Sequence, residues 1–231
     1  MQHWIKRWFS GYFTQLLFFL LLLFVFRPFN FGVIYNAIWQ CIFIGVMVSA
    51  VFNCHHPKKI RILALILGIP AVFFTAWIQF YPHFFVLLIA RIATVLFLAV
   101  CTTSILVNVV LRARVTIETL RGAICAYFLI GFLFAYIYVL IELITPGSFH
   151  LLPIEGNVGS PGFFVSEFMY FSFVTLLAIG YGDITAIGDL GQTFVIMEGV
   201  AGQFYLAILV ARLVSVYSIF SQKKILKKMD V

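Results

Sequence analysis

Charged side chains are scarce in this sequence. Asp, Glu, Lys and Arg make up 10% of its 231 residues, hydrophobic residues make up 64%, and the mean hydropathy is +1.12. A soluble domain carries about 25% charged residues, and one soluble core could not cover so much apolar surface. The composition therefore excludes a soluble enzyme and indicates a protein whose solvent is largely lipid.

Grouped metal ligands and disulfide pairs are lacking as well. The adjacent His55 and His56 have too few neighbouring ligands for a zinc site. No grouping of His, Cys or Ser with the acidic residues makes a catalytic centre, so we expect neither enzymatic activity nor an organic cofactor. The cysteines form no C-x-x-C pair and lie in or beside apolar runs, as small buried hydrophobic side chains do: Cys41, Cys54, Cys101 and Cys125.

Six apolar segments recur along the chain, and a helix needs about 20 apolar residues to cross a bilayer. Lys and Arg cluster before the first segment and after every second one, so the positive-inside rule predicts that both termini are cytoplasmic. The net charge of +7 then reflects cytoplasmic flanks rather than nucleic-acid binding. The segments run approximately over residues 9–26, 31–52, 60–80, 84–111, 122–144 and 190–220.

The stretch between the fifth and sixth segments has a different character. Between Arg121 and Arg212 there is no Lys or Arg, yet six of the eight acidic residues lie there, so the outer loop should concentrate cations. Residues 166–177 are apolar but too short to span a bilayer, and Gly180-Tyr181-Gly182 follows them. Irregular backbone at membrane depth is tolerated where it lines a cavity or is buried in protein. This pattern predicts a re-entrant helix followed by an extended strand that presents its carbonyl groups.

Residues 175–183, T-L-L-A-I-G-Y-G-D, resemble the potassium-channel signature T-x-T-T-V-G-Y-G-D. Residues 115–217 also resemble the pore module of bacterial potassium channels, with Tyr170-Phe171 where that family often has a Trp pair. The resemblance implies an all-α membrane protein with six transmembrane helices, a re-entrant pore helix and a selectivity filter. It also implies that four identical chains surround one pore in a bacterial-type inner membrane.

The resemblance assigns roles to individual positions. Potassium is expected as the permeant ion, coordinated by main-chain carbonyls in the filter Ala178, Ile179, Gly180, Tyr181 and Gly182. Asp183 would close the outer end of the filter, with support from Thr175, Tyr170 and Phe171. Glu198, a carboxylate inside the membrane, is predicted to be hydrogen-bonded behind the filter. Gly199 and Gly202 are candidate hinges of the inner helix.

Two positions depart from the signature. Ala178 and Leu177 stand where the family usually has Thr, so the innermost ion site would lack its hydroxyl ligands. Two alternatives therefore stay open, namely a weakly selective monovalent cation channel and a channel-like membrane protein that does not conduct. A secondary transporter is disfavoured, because the spans do not divide into two matching halves.

The first four spans resemble a voltage-sensor domain without its charges. Such a sensor carries about 3–4 gating charges per subunit, whereas the membrane part of the fourth span has only Arg91, which should face protein or extend to the outer interface. We expect no strong voltage gating. The predicted organisation is a four-helix domain (1–111), an interfacial linker (112–121), a pore domain (122–221) and a short basic tail (222–231) that meets anionic membrane lipids.

Overall fold

A computed structural model of the chain describes residues 12–26, 32–53, 58–78, 83–111, 116–151 and 163–229. The predictions for His55, His56 and Cys54 lie outside these residues. The described part contains helices α1 (Tyr12–Val25), α2 (Gly32–Asn53), α3 (Lys58–Trp77), α4 (Phe84–Leu111), α5 (Ile117–Ile144), α6 (Phe163–Leu176) and α7 (Asp189–Met229), and strands β1 (Phe149–Leu151) and β2 (Ile184–Ala186).

Four of the described helices are long and apolar enough to cross a membrane, over Lys59–Trp77, Phe84–Val109, Ile117–Ile144 and Asp189–Arg212. The apolar stretches of α1, α2 and α6 are shorter. Large apolar side chains cover the outer surface; Phe85, for example, is 69% exposed, which water would penalise and lipid would not. The structure is compatible with the predicted all-α membrane protein, and the count of six spans stays a prediction.

The first four helices share one core with the C-terminal helices instead of forming a separate body. Both α1 and α4 pack along α5, while α3 packs on α4 and α2 on α1. The backbone of Gly122 approaches the Phe13 ring so closely that a Cβ there would lie 3.2 Å from it. The Arg121 guanidinium donates to Thr14 Oγ1 at 3.0 Å. The helix α5 is consequently enclosed by elements from both halves of the chain.

Two helix boundaries differ from those predicted. The α5 helix begins at Ile117, because Thr116 and Thr119 form a reciprocal cap in which each side chain accepts the other's backbone N–H; the second half of the predicted linker is thus helical. The α7 helix does not end near residue 221 but continues to Met229, since no Gly or Pro follows Gly202 to interrupt it. Its 41 residues make it about 60 Å long.

The isolated charge in α4 faces protein. Arg91 is only 5% exposed, and its guanidinium carbon lies 5.5 Å from the ring centre of Tyr136 on α5. Arg91 therefore links α4 to α5 in a buried contact.

The expectation for the cysteines is partly wrong: Cys101 and Cys125 are buried, whereas Cys41 is exposed on the apolar outer surface.

We predict that Arg91 and Tyr136 are energetically coupled. A desolvated cation–π contact is worth up to about 2 kcal/mol, so Arg91→Met should lower the midpoint of thermal unfolding in detergent micelles. Tyr136→Leu should do the same, and the double variant should lose less than the sum of the two losses. Tyr136→Phe, which keeps the ring, is the matched control and should stay near the wild-type midpoint. Additive losses would contradict this contact.

Candidate functional site

The short helix α6 enters the protein and ends among the other helices. After Leu176 the chain forms a Schellman-type cap, in which Ala178 N–H donates to Thr175 O at 2.9 Å and Ile179 N–H donates to Val174 O at 2.9 Å. This cap requires a left-handed residue after the helix end, and Ala178 has φ +56°. The same position that lacks the expected hydroxyl is therefore the backbone turn that starts the next segment.

Residues 177–183, here called the connecting segment, alternate in backbone handedness. Ala178, Gly180 and Gly182 have φ of +56°, +59° and +79°, while Ile179 and Tyr181 between them are not left-handed. In an ordinary extended strand successive carbonyls point to opposite sides. A left-handed residue at every second position is expected where successive carbonyls face the same side. Glycine adopts this conformation readily, and it occupies two of the three positions.

The C-terminal end of the connecting segment is tied back to α6. The Tyr170 hydroxyl donates to Asp183 Oδ2 at 2.6 Å, and the other carboxylate oxygen accepts the Ile184 N–H at 3.0 Å. Hydrogen bonds to an ionised carboxylate are stronger than neutral ones. The segment is thus held at its start by the α6 cap and at its end by the side chain of α6 residue Tyr170.

A two-stranded sheet continues this support outward. β2 follows Asp183 directly and pairs antiparallel with β1, so that His150 lies opposite Thr185. The start of β1 is attached to the end of α5, because Glu142 accepts the backbone N–H groups of Gly147 at 2.8 Å and Phe149 at 3.2 Å. The C-terminal end of the connecting segment is therefore tied, through β2 and β1, to α5.

A buried polar cluster lies behind α6. Glu198 of α7 is 0% exposed and accepts a hydrogen bond from the Tyr138 hydroxyl of α5 at 2.5 Å. Its other carboxyl oxygen lies within hydrogen-bond distance of Ser172 Oγ on α6, and Ser172 Oγ also lies 2.7 Å from the carbonyl oxygen of Gly131 on α5. Three helices meet at this one carboxyl group.

The α7 helix passes the end of α6 at very short range. A Cβ at Gly202 would lie 2.7 Å from the Leu176 carbonyl oxygen and 2.9 Å from its Cδ1, whereas a Cβ at Gly199 would meet nothing within 4 Å. The Leu176 carbonyl accepts the Tyr127 hydroxyl at 3.1 Å, and the Tyr127 ring stacks on that of Tyr205 at 5.8 Å. The helix is continuous through both glycines, so Gly202 serves close packing in this structure.

Most residues singled out in the sequence lie together. Thr175, Tyr170 and Asp183 adjoin the connecting segment. Phe171 packs its ring in the core against Tyr138 and Phe149 and also lines the groove beside the connecting segment. The sequence reasoning missed a further set of residues, which are polar or small groups within apolar runs and could be found only through that contrast: Tyr127, Gly131, Tyr138, Glu142 and Ser172.

The packing at α7 predicts different outcomes for its two glycines. Gly202→Ala should lower the midpoint of thermal unfolding, because the new methyl group meets a backbone oxygen that no rotamer change can remove; overpacking of this kind costs about 1–3 kcal/mol. Gly199→Ala is the matched control, since it adds the same methyl group to the same helix in open space. Equal midpoints for the two variants would show that the contact with Leu176 is not tight.

The comparisons with known proteins concern this same region. Residues 124–218 match a family model described as an ion channel, and these residues run from α5 through α6 and the connecting segment into α7. No curated protein and no solved structure matches the chain. The match supports an ion-channel family, and together with the apolar helices it suggests a membrane protein.

Proposed function

We propose that this chain is one subunit of a homotetrameric potassium-selective channel. The observation that carries the proposal is the left-handed backbone at alternate positions Ala178, Gly180 and Gly182, directly after the buried end of α6. The connecting segment would be the selectivity filter. Carbonyls from four copies of it would form rings around one axis and replace the hydration shell of a monovalent cation.

The local charge distribution favours cations. The C-terminal end of α6 carries the partial negative charge of the helix dipole, and Asp183 adds a carboxylate at the opposite end of the connecting segment. No Lys or Arg occurs between Arg121 and Arg212. A permeating cation would therefore meet a negative potential from the outer mouth to the inner end of the filter.

Four copies are proposed because one chain leaves the connecting segment open. Tyr181 is 69% exposed, and Ile179 and Leu177 are about half exposed. A groove of about 550 Å³ beside this segment is lined by Thr175, Ala178, Gly180, Gln192 and Ile196, among others. One strand cannot surround an ion, so further copies would have to complete the ion sites and cover these apolar side chains.

A weakly selective cation channel is the second candidate, and the observation behind it is Ala178. Its side chain has no hydroxyl group, so the innermost ring would offer carbonyl oxygens alone. The left-handed φ at this position disfavours a β-branched side chain such as Thr. Ala178→Ser adds the hydroxyl group with less backbone strain and is the sharper test of the missing ligand.

Cation flux in liposomes tests the proposed function. With the purified protein, a potassium gradient and sodium as the competing ion, we expect potassium to pass much faster than sodium; each factor of ten corresponds to about 1.4 kcal/mol of discrimination. Barium, a divalent ion of similar size, should block the flux. Equal fluxes that become selective in Ala178→Ser would favour the second candidate. No flux in either protein would favour a channel-like protein that does not conduct.

The bond between Tyr170 and Asp183 should be necessary for selectivity. Tyr170→Phe keeps the ring but removes the donor, so the filter loses its outer attachment to α6; a hydrogen bond to a charged group is worth about 1.5–3 kcal/mol. We expect a lower potassium-to-sodium permeability ratio in this variant. Tyr170→Trp retains an N–H donor and should recover part of the ratio. An unchanged ratio in Tyr170→Phe would show that this bond does not hold the filter.

A further inference from the structure

The hydrogen bonds around Glu198 need three hydrogen atoms, one for each contact between two oxygens. The three contacts are Tyr138 hydroxyl to Oε2, Ser172 Oγ to Oε1, and Ser172 Oγ to the Gly131 carbonyl oxygen. A hydroxyl group has one hydrogen to donate, and an ionised carboxylate has none. Tyr138 supplies the hydrogen for the first contact. Ser172 can supply a hydrogen for only one of the other two.

If Glu198 were ionised, one of the two contacts of Ser172 would be a close approach of two oxygens with no hydrogen between them. If Glu198 is protonated, its Oε1 hydroxyl donates to Ser172 Oγ, and Ser172 then donates to the Gly131 carbonyl. Three contacts would be matched by three hydrogens, and each buried oxygen would have a partner.

The surroundings agree with a neutral acid. Glu198 is fully buried, and in the described part of the chain it forms no ion pair; its partners are the two hydroxyl groups. The nearest Lys or Arg in the C-terminal sequence is Arg212, almost four helical turns away along α7. An ionised carboxylate buried without a cation is far more costly than a neutral polar group that is hydrogen-bonded.

We propose that Glu198 is held as a neutral carboxylic acid that donates a hydrogen bond to Ser172 and thereby positions α6 between α5 and α7. The chain of donation runs from Tyr138 to Glu198, from Glu198 to Ser172, and from Ser172 to Gly131. Ser172 lies between Tyr170, which holds the outer end of the connecting segment, and Thr175, whose carbonyl caps the inner end. The effect on selectivity rests on the proposed function, whereas the protonation state does not.

Two variants of Glu198 should show whether its hydrogen bonds or a negative charge are needed to position α6. In Glu198→Gln the amide carbonyl can accept from Tyr138 and the amide N–H can donate to Ser172, so the whole chain of donation survives. In Glu198→Leu, of similar size, Tyr138 loses its acceptor and Ser172 loses its donor, while Ser172 keeps the Gly131 carbonyl. We expect the potassium-to-sodium permeability ratio to fall about tenfold in Glu198→Leu, the loss of about 1.4 kcal/mol that an unmade buried hydrogen bond produces. Glu198→Gln should recover the ratio, and failure to recover it would overturn the neutral acid.

Infrared spectroscopy of the wild-type protein in liposomes near neutral pH tests the protonation state directly. A protonated carboxyl group gives a C=O stretching band that is separate from the bands of a carboxylate. We expect this band in the wild type, its shift in heavy water, and its loss in Glu198→Gln. Labelling glutamate carboxyl groups with carbon-13 shows, in the wild type alone, whether the band belongs to a glutamate or to an aspartate, and its loss in Glu198→Gln identifies Glu198 among the five glutamates. A wild-type spectrum without the band would overturn the proposal. Because the spectrum needs no ion flux, a protein that fails to conduct leaves this result interpretable.

Discussion

Backbone polar groups that are not paired within a helix or sheet must find other partners, and this constraint governs the C-terminal half of the chain. The connecting segment between α6 and β2 is not helical, so its N–H and carbonyl groups cannot satisfy one another as those of a spanning helix do. The turn after α6 uses the N–H groups of Ala178, Ile179 and Gly180, and the Asp183 carboxylate accepts that of Ile184. Among the hydrogen bonds of the described residues, none uses a backbone carbonyl of residues 177–182, so these carbonyls are available for another partner such as an ion.

The surrounding helices serve this irregular segment. On α5, the Gly131 carbonyl and Tyr138 lie behind α6 and contact its Ser172 and the α7 residue Glu198. Tyr127 donates to the last carbonyl of α6, and Glu142 accepts N–H groups at the start of β1. α1 and α4 pack on the other faces of α5, so the first four helices act as a scaffold for the helix on which the site is built. Arg91 fits this role, because it is buried against α5 instead of forming part of a row of mobile charges.

Much of this architecture could be predicted from the sequence, because apolar length and glycine have direct structural consequences. The fourth span, predicted over residues 84–111, coincides with α4, and the short apolar run before Gly180 is the helix α6. The start of α5 was missed because a cap formed by two threonines is weaker than a charge pattern as a sequence signal. The end of α7 was missed because the basic residues after 221 suggested a separate tail, although nothing in them breaks a helix.

The partners of the site residues were harder to predict, since they are distant in sequence. Tyr138 lies 60 residues from Glu198, and Ser172 lies 26 residues from it; only the packing of α5, α6 and α7 brings them together. Gly202 is a candidate hinge by its spacing from Gly182, and that role stays a prediction; what the sequence did not predict is that its backbone lies against Leu176 in a continuous helix. A glycine required for close approach and a glycine required for bending have the same sequence signature.

The central claim is that four copies of the connecting segment select potassium through their carbonyl groups. The most direct measurement is the reversal potential of the wild-type protein in a planar bilayer, with potassium on one side and sodium at equal concentration on the other. If the carbonyls select potassium, the current reverses far from zero, at the sign that indicates potassium permeation. A reversal potential near zero in a conducting bilayer would contradict that claim, because the carbonyls would then not distinguish the two ions.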